Sequence, residues 1–418
     1  MTLKKKITDM AINAKAASRE LALVSTSVKN KTLISMAKVL KSNKGFILKE
    51  NKKDIIRAQE KKMSCAMIDR MRLSNKRINE MSRSLLQVAK LKDYVGENIR
   101  SWRRPNGLLI SKVRVPIGVI AIIYEARPNV TSDCIGLCLK SSNSVILKGG
   151  SEALNSNIAI YKVLKKVASK NKISTGAINL IDTTDRKAVD ILLGLYDYVD
   201  LVIPRGGEEL IRRVAAKSRI PVIKHYKGIC HTYVDKDADI NMALKVCFNA
   251  KVQRPSVCNA METLLVHKDI AKKFLPEMAK RFKSAGVELR GCDKTRNIIK
   301  GIKKATNKDW VTEYLDLILS IKIVNSLDAA IKHINTFGSQ HSDAIIAKNK
   351  KNASEFLKRV DAAGVFVNSS TRFTDGYQFG LGAEMGISTD KIHARGPMAL
   401  EELASYKYVI WGNGQIRK

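Results

Sequence analysis

Apolar residues recur every three to four positions through the first 95 residues, in ITDMAINAKAASRELALVS and again in KTLISMAKVLKSNKGFILKENKKDIIRAQ. That spacing gives each helix one apolar stripe, so a helical layer covering a sheet is predicted there. Near residue 105 the period changes. Pro105-Asn106-Gly107 marks a turn, and LLISKVRVP alternates in polarity and is rich in β-branched residues. A hairpin over 98–115 is predicted.

A regular rhythm follows. GVIAIIYE, NSVILKGG, AINLIDT, VDLVIPRGG and PVIKHY are short apolar runs, and the longer stretches between the first four pairs have helical spacing. Strands alternating with helices imply βαβ units, a parallel sheet with helices on both faces and a Rossmann-like arrangement. From about residue 230 a second alternating series begins. It runs through GICHTYV, a helix over ADINMALKVCFNAKVQ, strand METLLVH, a helix ending at Gly286, LILSIKIV, LDAAIKHINTFG, AIIAKN, KNASEFLKRVDAAG and VFVNSS. The last alternating segment, SYKYVIWGNG, suits the edge of a sheet. The fold class is therefore α/β, in three parts. These are a parallel-sheet domain of 1–97 and 116–228, a second α/β domain of 229–375, and a small β element of 98–115 and 376–418.

Length agrees, because single cores stop growing at roughly 250–300 residues and this chain has 418. No run of 18 or so apolar residues occurs, and the basic N-terminus lacks an apolar signal core, so a soluble cytoplasmic protein is expected. The seven cysteines show no CxxC and no zinc spacing, which points away from disulfides and structural metal and toward reduced thiols. The net charge of +36 invites a nucleic-acid reading. Yet the lysines are spread along the helices, with no basic arm and no recognition motif, so the charge reads as a solvated surface that attracts anionic substrates.

Three constellations carry chemistry. No GxGxxG follows any strand, but Lys148-Gly149-Gly150 and Arg205-Gly206-Gly207 each place a glycine pair between a strand and a helix start. Such turns let a phosphate approach backbone amides, although tight turns also use glycine for steric reasons alone. In Gln253-Arg254-Pro255-Ser256-Val257-Cys258-Asn259-Ala260, Pro255 stops the preceding helix and leaves Cys258 in a connection before a strand. A thiol there is a candidate nucleophile if amides or cations favour its thiolate. Cys134, Cys138 and Cys247 fall on helix faces and read as buried apolar residues. Cys230 and His231 are neighbours on a strand and point to opposite faces. In Glu125-Ala126-Arg127-Pro128-Asn129, the asparagine just past a strand tip is placed to donate to an oxyanion, or simply to begin a helix.

Taken in order, RVPIGVIAIIYEARPN, SVILKGGSEA, VQRPSVCNAMETLLV and TEYLDLIL resemble the aldehyde dehydrogenase superfamily. EARPNVTSD, VIPRGG, NSSTRFTDG, FGLGAEMGIST and KIHARGPMALEEL resemble more closely its gamma-glutamyl phosphate reductases, from about residue 100 to the end. The resemblance implies a catalytic thiol at Cys258, an oxyanion donor at Asn129 and contacts to the adenosine ribose or its phosphate at Lys148. It implies a cofactor-facing helix start at Gly206 and Gly207, and a nicotinamide-ribose contact at Glu313. It also implies NADPH as cofactor and L-glutamyl 5-phosphate as substrate, reduced to the 5-semialdehyde in proline biosynthesis. A homo-oligomer built through the small β element and transient partnership with glutamate 5-kinase are implied as well. An anionic substrate calls for cationic side chains, and Arg127, Arg254 and Arg372 are the candidates. One departure is informative: hydrolytic members carry a glutamate base in an ELGG segment, and here Val222-Ile223-Lys224-His225-Tyr226-Lys227-Gly228 has no carboxylate. Without a base for water, a thioester should survive for exchange with phosphate. A CoA-acylating dehydrogenase and a non-catalytic nucleic-acid-binding protein are the alternative readings.

Overall fold

The structure, a computed structural model, describes residues 1–417, the side chain of Ala66 excepted. It divides into two compact units. The first holds Met1–Lys224, Gly380–Gly386 and Met398–Lys418, and the second His225–Phe379 and Ile387–Pro397.

In the first unit the predicted helical layer is five helices, Leu3–Leu21, Thr26–Ser42, Lys44–Glu60, Cys65–Met71 and Asn75–Lys90. Side chains of Thr2, Ser25, Ser64 and Ser74 cap four of them by accepting a first-turn amide. The apolar stripe does what its spacing requires: Ile7, Ala11 and Ala14 share a core with Val119, Ala121, Ile123 and Ile146 of the sheet. That sheet is parallel, in the spatial order Ile178–Leu180, Ser144–Gly149, Val119–Tyr124, Leu201–Arg205. Its two central strands are buried along their whole length, which is why they read as unbroken apolar runs. The expected fifth strand, PVIKHY, is reduced to one bridge between Val202 and Val222. Pro221 has no N–H to give to a ladder, and after Ile223 the chain leaves the sheet for the second unit.

A separate antiparallel sheet in this unit joins the hairpin Asn98–Arg103 and Leu109–Pro116 to the C-terminal strand Ala404–Trp411. Gly107, at φ +90°, makes the hairpin turn possible. The C-terminal strand thus finds its first partner in this chain's own hairpin.

The second unit is built on a seven-stranded sheet that is parallel throughout. Its spatial order is Lys303–Lys304, Glu288–Gly291, Ile318–Val324, Met261–His267, Cys230–Val234, Ser342–Ile346, Gly364–Val367. Helices Ile240–Val252 and Lys268–Ser284 pack on one another and on strand Met261–His267, with Phe274, Leu275, Met278 and Phe282 buried between them and the sheet. The two short strands at the Lys303 edge were not anticipated from the sequence. They are two and four residues long and carry Lys303, Lys304, Glu288 and Arg290, so no apolar period announces them.

Candidate functional site

In the second unit the helix Ile240–Val252 stops because Pro255 cannot donate a further helical bond. Residues 253–260 then form a loop closed by the Ala260 N–H on the Val257 carbonyl at 3.0 Å, and strand Met261–His267 follows. Cys258 sits half-buried in this loop. Two anchors hold its neighbour Asn259. The Asn259 amide donates to the Thr374 carbonyl at 2.8 Å, and the Thr371 hydroxyl donates to the Asn259 carbonyl at 2.7 Å.

Those anchors bring in Arg372, whose Nε donates to Gln253 Oε1 at 2.9 Å. Burial and then the charge of Arg254 disfavour the protonated Arg372, while Cys258 and Asp375 favour it. Two guanidiniums and one thiol therefore share a single neighbourhood. Facing a thiolate, such a pair favours the charged form of the sulfur and offers a site to an anion.

A glycine links Cys258 to Glu313. A Cβ at Gly228 would overlap the carbonyl and Cα of Cys258, so the segment before strand Cys230–Val234 packs directly on the cysteine backbone. The Gly228 N–H donates to Glu313 Oε1 at 2.9 Å. Glu313 lies in the turn that continues to Leu315, and the Leu315 N–H donates to Glu262 Oε1 at 3.1 Å. Glu262 in turn holds Lys251 at 2.6 Å, with both side chains fully buried. Burial pushes the Glu262 carboxyl up to about 7 against the pull of Lys251, and burial lowers the lysine.

Beneath the loop the Cys230 thiol donates to the Cys258 carbonyl at 3.2 Å and lies 3.8 Å from His341 Nδ1. Burial pushes that thiol well above its usual range. His231, as expected, points the other way, to Asp343 at 3.0 Å.

In the first unit the strand tips gather a different set. Lys148 is the penultimate residue of the strand Ser144–Gly149, 6% exposed, and its Nζ donates to the Gly149 carbonyl at 2.8 Å. Burial lowers its proton affinity and Glu152 opposes this. Gly206 and Gly207 precede the helix Glu208–Lys217, where a Cβ at Gly206 would strike Glu125 at 2.5 Å. Glu125 Oε2 accepts the Gly207 N–H at 2.8 Å, so a carboxylate already occupies an amide beside this helix start. A buried ammonium, glycine turns and helix-terminal amides suit the ribose and phosphate groups of a dinucleotide, and in that sense these residues fit one.

Asn129 opens the helix Asn129–Lys140. Its Nδ2 donates to Asp133 Oδ2 at 3.1 Å, and Asp133 Oδ1 accepts the Ser84 hydroxyl at 3.0 Å. Burial raises the Asp133 carboxyl against both hydrogen bonds. Arg127 is exposed in the same turn, after Ala126 at φ +39°.

The structure thus gathers Cys258, Arg254, Arg372 and Glu313 in the second unit. Lys148, Gly206, Gly207, Asn129 and Arg127 lie in the first. Gly228, Glu262, Asp133 and Glu125 escaped the sequence reading. Only the glycine in an otherwise bulky segment offered any signal.

The aldehyde dehydrogenase family model matches residues 2–316. The chain is 56% identical to a gamma-glutamyl phosphate reductase of Thermodesulfovibrio yellowstonii, over 100% of both chains. It is 54% identical to that of Halothermothrix orenii, again over 100% of both. Among solved structures, a gamma-glutamyl phosphate reductase of Thermotoga maritima superposes with a TM-score of 0.97 at 46% identity, covering 99% of this chain and 100% of that one. The chain belongs to the aldehyde dehydrogenase family.

Proposed function

We propose that this chain reduces L-glutamyl 5-phosphate to L-glutamate 5-semialdehyde and phosphate with NADPH, in the cytoplasm, through a thioester on Cys258. The observation that carries the reading is Cys258 in a loop pinned at Asn259, with Arg372 in electrostatic reach of both the thiol and Arg254. Relatives named for this activity at 54–56% identity over the full chain support it.

The Cys258 thiolate attacks the acyl carbon, and Asn129 Nδ2 donates to the developing oxyanion, a contact of about 3 kcal/mol when preorganised. Arg254 and Arg372 hold the departing phosphate, with Arg127 a further cation for the substrate carboxylate. The chemistry that NADPH would supply when bound is the hydride that reduces the thioester. Lys148 and the Gly206-Gly207 turn would hold its adenosine end, and Glu313 its nicotinamide ribose. Val222–Gly228 holds no carboxylate of the kind that activates water in the hydrolytic members, which favours phosphate over water in reopening the thioester in reverse. The exposed face of the C-terminal strand joins chains into a homo-oligomer, and glutamate 5-kinase is the source of the labile substrate.

Cys258→Ser and Cys258→Ala should fold normally and lose more than a thousandfold in turnover. Near-normal turnover would overturn the reading. NADP reduction by the semialdehyde should also require phosphate. Equal rates without phosphate, giving free glutamate, would make the chain a hydrolytic dehydrogenase.

A further inference from the structure

Thioester formation from an acyl phosphate leaves a proton unaccounted for. The carbon–oxygen bond breaks as the sulfur–carbon bond forms, and an unassisted phosphate departs as a trianion too basic to persist at neutral pH. One proton must reach that oxygen. The hydride step has no such need, since the thiohemiacetal oxyanion collapses by expelling the thiolate.

The groups around Cys258 can be sorted by whether they can deliver it. The Arg254 and Arg372 guanidiniums do not give up protons. Glu313 accepts the Gly228 N–H through Oε1 and binds the cofactor ribose in the proposed function. Cys230 is buried, bonded to the Cys258 carbonyl, and its thiol is held far above neutrality by burial. His341 is buried, and burial with the nearby His225 pushes it down to about 3, so it is a neutral ring with no proton to spare.

His225 differs from all of these. It is half-buried, in the segment whose Gly228 packs on the Cys258 backbone. Its ring stands at 73° to that of His341, with centroids 5.8 Å apart. His341 Nδ1 lies 3.8 Å from Cys230 Sγ, which lies 3.2 Å from the Cys258 carbonyl. The neutral His341 is thus a fixed support for an imidazole three residues before the glycine that packs on the Cys258 backbone. Lys224, Tyr226 and Lys227 flank it in the sequence, and imidazole is the side chain whose ordinary range suits proton transfer at neutral pH.

We infer that His225 is the general acid of the acylation step, protonating the phosphate oxygen as it leaves. This rests on the thioester reading above. Imidazolium, thiolate and acyl phosphate become neutral imidazole, thioester and hydrogen phosphate, with charge conserved; the ring is reprotonated from solvent. In reverse, neutral His225 removes the proton from hydrogen phosphate as it attacks the thioester.

The test uses the semialdehyde and NADP with wild type and His225→Gln, with and without phosphate. Without phosphate, one turnover yields about one NADPH per site and stops at the thioester, and no proton transfer to phosphate is involved. His225→Gln should keep the rate and amplitude of this burst, which also counts folded sites. Its steady-state turnover at saturating phosphate should fall about a hundredfold or more. Loss of the burst in the variant, unchanged steady-state turnover, or a change confined to the KM for phosphate would each overturn the assignment. A wild-type chain with no burst would remove the thioester itself, and this step with it.

Discussion

Cys258 and Cys230 carry the same thiol and are linked by one hydrogen bond, yet their surroundings differ sharply. Cys258 is half-buried within electrostatic reach of the Arg372 guanidinium, whereas Cys230 lies in a strand with its proton engaged. Burial likewise pushes Cys134 up to about 12 and Cys138 well above the ordinary thiol. Alkylation of the native chain should therefore modify Cys258 and the exposed Cys65 and spare Cys134, Cys138, Cys230 and Cys247, with substrate protecting Cys258 alone. Peptide mass spectrometry reads this directly, and early labelling of Cys230 would contradict the assignment. Pro255 and Cys258 were legible in the sequence because proline ends a helix and a thiol in a loop has few structural duties. Gly228 was not legible in the same way. Its reason is the backbone of Cys258, 30 positions later, and no local pattern encodes that contact.

At the scale of elements, the loop and the Glu313 turn are held from below by the buried Lys251–Glu262 pair. It joins the end of helix Ile240–Val252 to strand Met261–His267 and, through the Leu315 N–H, to the turn. Leu315 is at φ +54°, a conformation unfavourable for leucine that the bond to Glu262 helps hold. Glu262→Gln should cost roughly 3–5 kcal/mol of stability, because it strands a buried ammonium. Lys251→Met with Glu262→Leu should recover much of that while leaving the turn without its acceptor. Urea midpoints measure the first effect, and a raised KM for NADPH in the double variant measures the second. Midpoints unchanged by Glu262→Gln would mean that the pair carries no such weight. The elements themselves were largely readable: a period of 3.6 identified the helical layer, a period of 2 the hairpin, and unbroken apolar runs most of the strands. Reading failed where strands are short and charged, at Glu288–Gly291 and Lys303–Lys304, and where Pro221 reduced a strand to one bridge. The pairing of Lys251 with Glu262, 11 residues apart across the Cys258 loop, was equally hidden, since each alone looks like a surface charge.

For the whole molecule, the charge of +36 sets the terms on which copies of the chain can meet. Like-charged molecules repel, so association needs apolar surface that outweighs the repulsion. The C-terminal strand offers it: Tyr406, Tyr408, Ile410 and Trp411 are 49%, 54%, 58% and 69% exposed, on a strand whose far edge has no partner among the described residues. An exposed apolar edge of this kind is a pairing surface unless something covers it. If it is the oligomer interface, association should strengthen as salt rises from about 0.01 M to about 1 M, over which the screening length falls from roughly 30 Å to 3 Å. An interface held by surface ion pairs would respond in the opposite direction. Tyr408→Glu with Trp411→Glu should shift the sedimenting species toward the monomer at every salt concentration, while the near-ultraviolet signal of the folded chain persists. A variant that sediments as the wild type does would place the contact elsewhere on the molecule.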